Sequence, residues 1–176
     1  MDNFPETVED FLDGQILLIN KPLGWTSFDV VKKIKNLIRT KYSLKKIKVG
    51  HAGTLDPLAI GLLIVCTGKF TKLISKIQGQ EKTYTGTITL GGTTPSYDLE
   101  TEVDNNYETA HITEELIKES TTQFIGEIDQ KPPIFSALKK GGERLYEKAR
   151  RGETIEIESR KVTVREFTIT SIENLE

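Results

Sequence analysis

The stretch with the most chemical content runs from Gly50 to Leu63, reading Gly-His-Ala-Gly-Thr-Leu-Asp-Pro-Leu-Ala-Ile-Gly-Leu-Leu. It carries one carboxylate, Asp56, and one imidazole, His51. A carboxylate can serve as a nucleophile or a base, and an imidazole changes charge near neutral pH. Gly50 and Gly53 precede Asp56 and allow unusual backbone angles or the close approach of a ligand. Pro57 follows and holds Asp56 in an extended conformation. An Asp-Pro pair is equally what a plain turn uses, and many histidines simply pack or sit on the surface. By themselves these residues describe a rigid loop that presents an acid and an imidazole. No cluster of metal ligands at coordination spacing and no phosphate-cradling glycine loop accompanies them.

The elements that must hold this loop follow from periodicity. Gln15–Asn20 reads as a buried strand, broken by Lys21-Pro22-Leu23-Gly24. Thr26 or Ser27 can cap a helix with Asp29 in its first turn. Phe28, Val30, Val31, Ile34, Leu37 and Ile38 then recur at helical spacing, which predicts an amphipathic helix over roughly 27–41. Short strands are expected at Lys46–Gly50 and Leu62–Cys66, the latter central, with a helix over Lys69–Ile77. Lys82–Leu90 alternates, Tyr84, Gly86, Ile88 and Leu90 against four threonines, and predicts a half-buried strand. On that pattern Tyr84 is a core aromatic. Thr94–Tyr107 reads as a loop. Thr113 caps a helix over about 114–123, with Ile112 and Ile117 as a hydrophobic staple. Strands at Phe124–Ile128, Phe135–Leu138, Thr154–Glu158 and Val162–Ile172, and a basic helix at Leu145–Arg151, complete the reading. The expected fold class is α+β, a mixed and largely antiparallel sheet flanked by helices. The length suits one core or two small subdomains sharing a sheet.

The net charge of −2 hides a segregated pattern. Between Asp29 and Asp56 there is no acid but there are eight bases, Lys32, Lys33, Lys35, Arg39, Lys41, Lys45, Lys46 and Lys48. Lys139 to Lys161 holds eight bases against five acids. Such a distribution builds either a solvated lysine-rich helix or a basic face for nucleic acid. No apolar run is long enough to span a bilayer, and the acidic start is unlike a secretory leader. The single Cys66 lies in an apolar run and reads as a buried thiol in a reducing, cytoplasmic setting.

The Gly50–Leu63 stretch closely resembles the signature loop of the bacterial TruB family of tRNA pseudouridine synthases, Gly-His-x-Gly-(Thr/Ala)-Leu-Asp-Pro-x-Ala-x-Gly-x-Leu. Every specified position is met, and Ile60 stands where Thr or Ser is common. Asn20-Lys21-Pro22-Leu23-Gly24-Trp25-Thr26-Ser27 is similar to the family's Lys-Pro-x-Gly-x-Thr-Ser motif, and also reads as a plain strand-to-helix turn. Lys82-Thr83-Tyr84 resembles the strand that brings a tyrosine to the site. Pro132–Lys139 and Arg144–Gly152 resemble the segment, here 130–152, that clamps the T-arm of tRNA; the same residues also read as an ordinary hairpin and helix. The resemblance covers nearly the whole chain from about Gly14.

That resemblance implies an isomerase of the pseudouridine synthase fold that converts the T-loop uridine (position 55) of tRNA to pseudouridine. The N1–C1′ bond breaks, the uracil turns, and C5 joins C1′, so no cofactor and no metal is needed. Asp56 is implied as the catalytic group, attacking C1′ or removing a sugar proton. A uridine inside a folded loop must first be flipped out. Tyr84 is then implied to stack on the uracil and His51 to contact RNA at the vacated space. Lys21, Gly53, Thr54, Lys139 and Arg150 are the further RNA-binding positions, and tRNA is the only partner implied, with neither membrane nor protein partner. The family's later Gly-Thr-Tyr-Ile-Arg-like motif, whose arginine pairs with the aspartate, does not occur in this sequence. On that account residues 1–176 read as the N-terminal part of the catalytic domain, truncated before the arginine motif. The alternative is a catalytically incompetent fragment or an RNA-binding, tRNA-folding protein using the same surface; guide-RNA relatives are a third, lower-ranked reading. The prolines, glycines and charges of 130–152 further predict a segment that orders on RNA.

Overall fold

A computed structural model describes residues 7–132, 139–141, 143–144, 151 and 157–173. The chain forms two units, Met1–Thr85 and Gly86–Glu176.

The first unit is built on a three-stranded antiparallel sheet in the order β1-β3-β2. A short helix, α1 (Val8–Asp13), leads into β1 (Ile16–Lys21). The long helix α2 (Ser27–Lys41) follows, then β2 (Val49–His51) and β3 (Gly61–Thr67). A 3-10 segment (Gly68–Leu73) runs into α3 (Ile74–Gln78), which stops at Gly79. β3 is central, with Ile16 opposite Cys66, Lys21 opposite Gly61 and His51 opposite Val65. This register brings the far end of β1 next to the start of β3, so the loops leaving both strands meet at one edge.

Burial explains why these segments hold. Val30 of α2 packs with Leu63 and Val65, flanked by Leu17, Ile19, Ile34, Val49 and Leu55. Phe11, Ile38 and Ile47 form a second cluster with Tyr42 and Leu44. Each such side chain contributes roughly 1.5–3 kcal/mol when fully buried. The buried Thr67 hydroxyl ties α1 to β3, donating to the Phe11 carbonyl at 2.9 Å and accepting from the Gln15 amide at 3.1 Å. Gly68 must stay glycine, because its φ is +52° and a Cβ there would lie 2.1 Å from the Leu12 carbonyl oxygen. Cys66 is buried as expected, and burial pushes its thiol pKa up.

The second unit holds β4 (Gly92–Thr93) paired with β5 (Asn105–Asn106), and then α4 (Glu114–Thr121) capped by Thr113. β6 (Gly126–Gln130) pairs with β9 (Arg160–Val164), and β7 (Lys139–Lys140) with β8 (Glu143–Arg144). All pairings among the described residues are antiparallel, so the α+β, largely antiparallel class is met. Among the described residues the strands fall into four separate sheets rather than one shared sheet. No helix among the described residues is long and apolar enough to cross a membrane.

Three expectations need correcting. Lys82–Leu90 forms no strand, and each of its residues is exposed. Its alternation is real, but a strand exists only through ladder partners, and none pairs with it among the described residues. Thr94–Tyr107 is not wholly loop, since β5 lies inside it. The last strand ends at Val164 rather than near Ile172. The expected strand at Phe135–Leu138, the helix at Leu145–Arg151 and most of the 130–152 clamp lie outside the described residues. So does most of the expected strand at Thr154–Glu158.

Candidate active site

The site is assembled by the turn after β1 and the loop between β2 and β3. Lys21 ends β1 and is wholly buried. Its ammonium donates to the Pro22 carbonyl at 3.0 Å and the Trp25 carbonyl at 2.6 Å. The lysine thus folds the following turn around its own head group. Burial lowers the Lys21 pKa, and the Asp56 carboxylate acting through space pulls it partly back up.

The turn ends in a capping box. The Thr26 hydroxyl accepts from the Asp29 amide at 3.0 Å, and the Asp29 carboxylate accepts from the Thr26 amide at 3.0 Å. The Thr26 hydroxyl also donates to that carboxylate at 2.6 Å. These bonds to Thr26, the side-chain one foremost, hold the Asp29 carboxyl below its usual pKa. Thr26 is therefore the cap, and Ser27 is the first residue of α2.

The Asp56 loop docks onto this turn from both sides of the aspartate. The Leu55 amide donates to the Ser27 hydroxyl at 2.9 Å, and that hydroxyl donates to the Leu55 carbonyl at 3.0 Å. The Gly24 amide donates to the Pro57 carbonyl at 2.8 Å. The Ala59 amide closes a turn on the Asp56 carbonyl at 3.0 Å. The Asp56 side chain itself is exposed. Its backbone neighbours are pinned while its carboxylate faces outward. Leu23, Trp25, Leu58 and Ile60 have exposed side chains in the same two segments.

His51 is half-buried at the end of β2, and its Nδ1–H donates to the Gly53 carbonyl at 2.5 Å. A carbonyl only accepts, so this bond places the proton on Nδ1 and leaves Nε2 for another partner. Gly53 has φ of +114°, a backbone angle that disfavours any other residue. Thr54 is exposed. A Cβ added to Gly53 would lie 3.9 Å from Cε of Lys82, so the segment leading to Tyr84 adjoins this loop. Lys82 is tethered through its ammonium to the Gln78 and Gln80 carbonyls at 2.8 and 2.7 Å.

Among the residues expected from sequence, Lys21, His51, Gly53, Thr54 and Asp56 thus lie on two interlocked segments. Lys21 is corrected in role, because a fully buried ammonium bonded to two carbonyls presents no surface to RNA. Tyr84 is corrected from a core aromatic to a residue 70% exposed. Lys139 lies in β7 in the second unit, and Arg150 lies outside the described residues. Ser27 and Gly24 were missed as site residues. The signals for them were the Gly and Ser positions of the Lys-Pro-x-Gly-x-Thr-Ser motif and, for Ser27, the presence of two possible caps where one suffices. Among the described residues no group of three or more His, Cys, Asp or Glu could hold a metal ion.

Residues 39–176 match the family described as TruB family pseudouridylate synthase (N terminal domain). A tRNA pseudouridine synthase B of Flavobacterium johnsoniae is 66% identical over 167 residues, which make up 94% of this chain and 73% of that protein. A tRNA pseudouridine synthase B of Parabacteroides distasonis is 54% identical over 160 residues, covering 91% of this chain and 68% of its own. A chain of a solved structure titled "Crystal Structure of a Cbf5-Nop10-Gar1 Complex" is 26% identical, with a TM-score of 0.46, over 76% of this chain and 33% of that one.

The burial of Lys21 generates a test. Lys21→Met is expected to cost about 1–3 kcal/mol of stability, because it leaves the Pro22 and Trp25 carbonyls without their donor. Affinity for tRNA, measured below the melting range, is expected to stay unchanged. Unaltered denaturant stability combined with weakened tRNA binding would restore the RNA-contact role.

Proposed function

The chain belongs to the TruB family of pseudouridylate synthases, and from that premise we propose that it isomerises the T-loop uridine of tRNA with Asp56 as the catalytic group. Its activity is tRNA pseudouridine synthesis; the choice of the T-loop uridine and the roles of individual residues are the proposal. The observation that carries it is the exposed Asp56 carboxylate, held by hydrogen bonds on the residues before and after it.

The chemistry asks for that arrangement. A carboxylate must meet the sugar at C1′ as the glycosidic bond breaks, whether it bonds to that carbon or removes a neighbouring proton. A pinned backbone limits the search for that geometry, which is where much of the rate of a positioned reaction comes from. The uridine must leave its stack to reach the site. The apolar side chains beside Asp56 and the exposed ring of Tyr84 suit the faces of an extruded base. His51, with Nε2 left as an acceptor, suits a polar edge of the RNA near the vacated space.

The exposed bases of α2 and the segment after it, Lys32, Lys33, Arg39, Lys41, Lys45, Lys46 and Lys48, would meet phosphates. Such contacts set position on the RNA without reading sequence, so recognition rests on the shape of the folded T-arm. Lys139 and Arg150 belong to the segment proposed to clamp that arm.

Two substitutions test the reading. In the full-length protein Asp56→Asn is expected to abolish conversion of an unmodified tRNA transcript while binding persists. Turnover within about tenfold of wild type would remove Asp56 from the chemistry, since loss of an essential nucleophile or base costs far more. Tyr84→Ala is expected to change stability by no more than about 0.5 kcal/mol, as an exposed side chain should, yet to slow turnover clearly. A large loss of stability with normal turnover would return Tyr84 to the core.

A further inference from the structure

The hydroxyl of Ser27 has no part in capping α2, because Thr26 supplies the cap. It is nonetheless buried, at 2% exposure, and fully engaged. It accepts from the Leu55 amide at 2.9 Å and donates to the Leu55 carbonyl at 3.0 Å. A neighbouring strand would satisfy both groups of one residue in this way. Residues 52–60 belong to no strand, so the serine hydroxyl stands in for the missing ladder partner.

The two bonds act on different peptide planes. The Leu55 amide belongs to the plane shared with Thr54, and the Leu55 carbonyl to the plane shared with Asp56. Fixing the second plane sets where the Asp56 Cα sits, the point from which its side chain departs. The anchor is firm, since Val30 and Val31 bury the first turns of α2 in the core. On the other side the Gly24 amide holds Pro57 to the same turn.

We infer that Ser27 is a positioning residue for Asp56, and that its hydroxyl contributes to turnover by orienting the Leu55–Asp56 peptide rather than by touching RNA. This rests on the reading of Asp56 as the catalytic group. A misplacement of about 1 Å can cost on the order of a hundredfold in rate, so a group that only orients a backbone can still weigh on kcat.

The experiment uses the full-length protein and an unmodified tRNA transcript. It compares Ser27→Ala, Ser27→Thr and Asp56→Asn with wild type, by single-turnover rate and by tRNA affinity, well below each melting midpoint. Ser27→Ala is expected to slow the chemical step by about 10- to 100-fold with tRNA affinity unchanged. Ser27→Thr, which keeps the hydroxyl, is expected to recover most of the rate. Should Ser27→Ala not fold, Ser27→Cys, close in volume but a much weaker hydrogen-bonding group, carries the same comparison. An unchanged rate in the hydroxyl-free variant overturns the inference. So does an equal loss in the threonine variant, or a loss of rate matched by a loss of affinity. Asp56→Asn separates the two claims. If it is inactive while Ser27→Ala runs normally, only the role of Ser27 falls. If it is active, the reading of Asp56 falls, and the role of Ser27 with it.

Discussion

The docking of the Asp56 loop onto the turn before α2 is the constraint on which the site depends. Leu55 is bonded to Ser27 through both its backbone groups, and Pro57 accepts from Gly24. Without these bonds a carboxylate on an irregular, exposed loop would be free to wander, and ordering it at each encounter would cost conformational entropy. With them, the entropy is lost on folding. The turn that receives the loop has its own internal scaffold, since the Lys21 ammonium holds two of its carbonyls and the Thr26–Asp29 box holds its end.

Lys21 holds the turn from inside. A buried ammonium is costly unless it is hydrogen-bonded, and here two carbonyls receive it. Burial pushes its pKa down, and the Asp56 carboxylate acting through space opposes part of that. The antiparallel register places Lys21 opposite Gly61, the first residue of β3, so the strand ends that launch the two segments are neighbours. The sheet thus aligns the site, and the two segments lock to each other across it.

Local patterns were legible in the residues where local forces decide. The α2 boundaries, the central β3 and the Thr113 cap match expectation because helical periodicity, an apolar run and a capping side chain act over a few residues. α1 is not legible in the same way, although Thr7 and Asp10 form a capping box, because six residues are too few for a helical period to show. Lys82–Leu90 misled because strand pattern is only half of a strand, and pairing is a property of distant residues. Lys21 misled for a different reason. A lysine is almost never fully buried, so its default reading is surface. The signature loop marked Asp56 by resemblance, but nothing in the residue types showed that Ser27 would serve Leu55 once Thr26 had taken the cap.

The central claim is that Asp56 is held in place before RNA arrives. Amide exchange in the tRNA-free, full-length protein tests it directly, read at Leu55 and Gly24. Their N–H groups bond to Ser27 and Pro57, so both are predicted to exchange slowly, as the amides of β3 do, and to gain little protection when tRNA is added. Exchange at the rate of an open loop in the free protein, with protection arising only on tRNA binding, would contradict it and make the positioning of Asp56 a consequence of substrate binding.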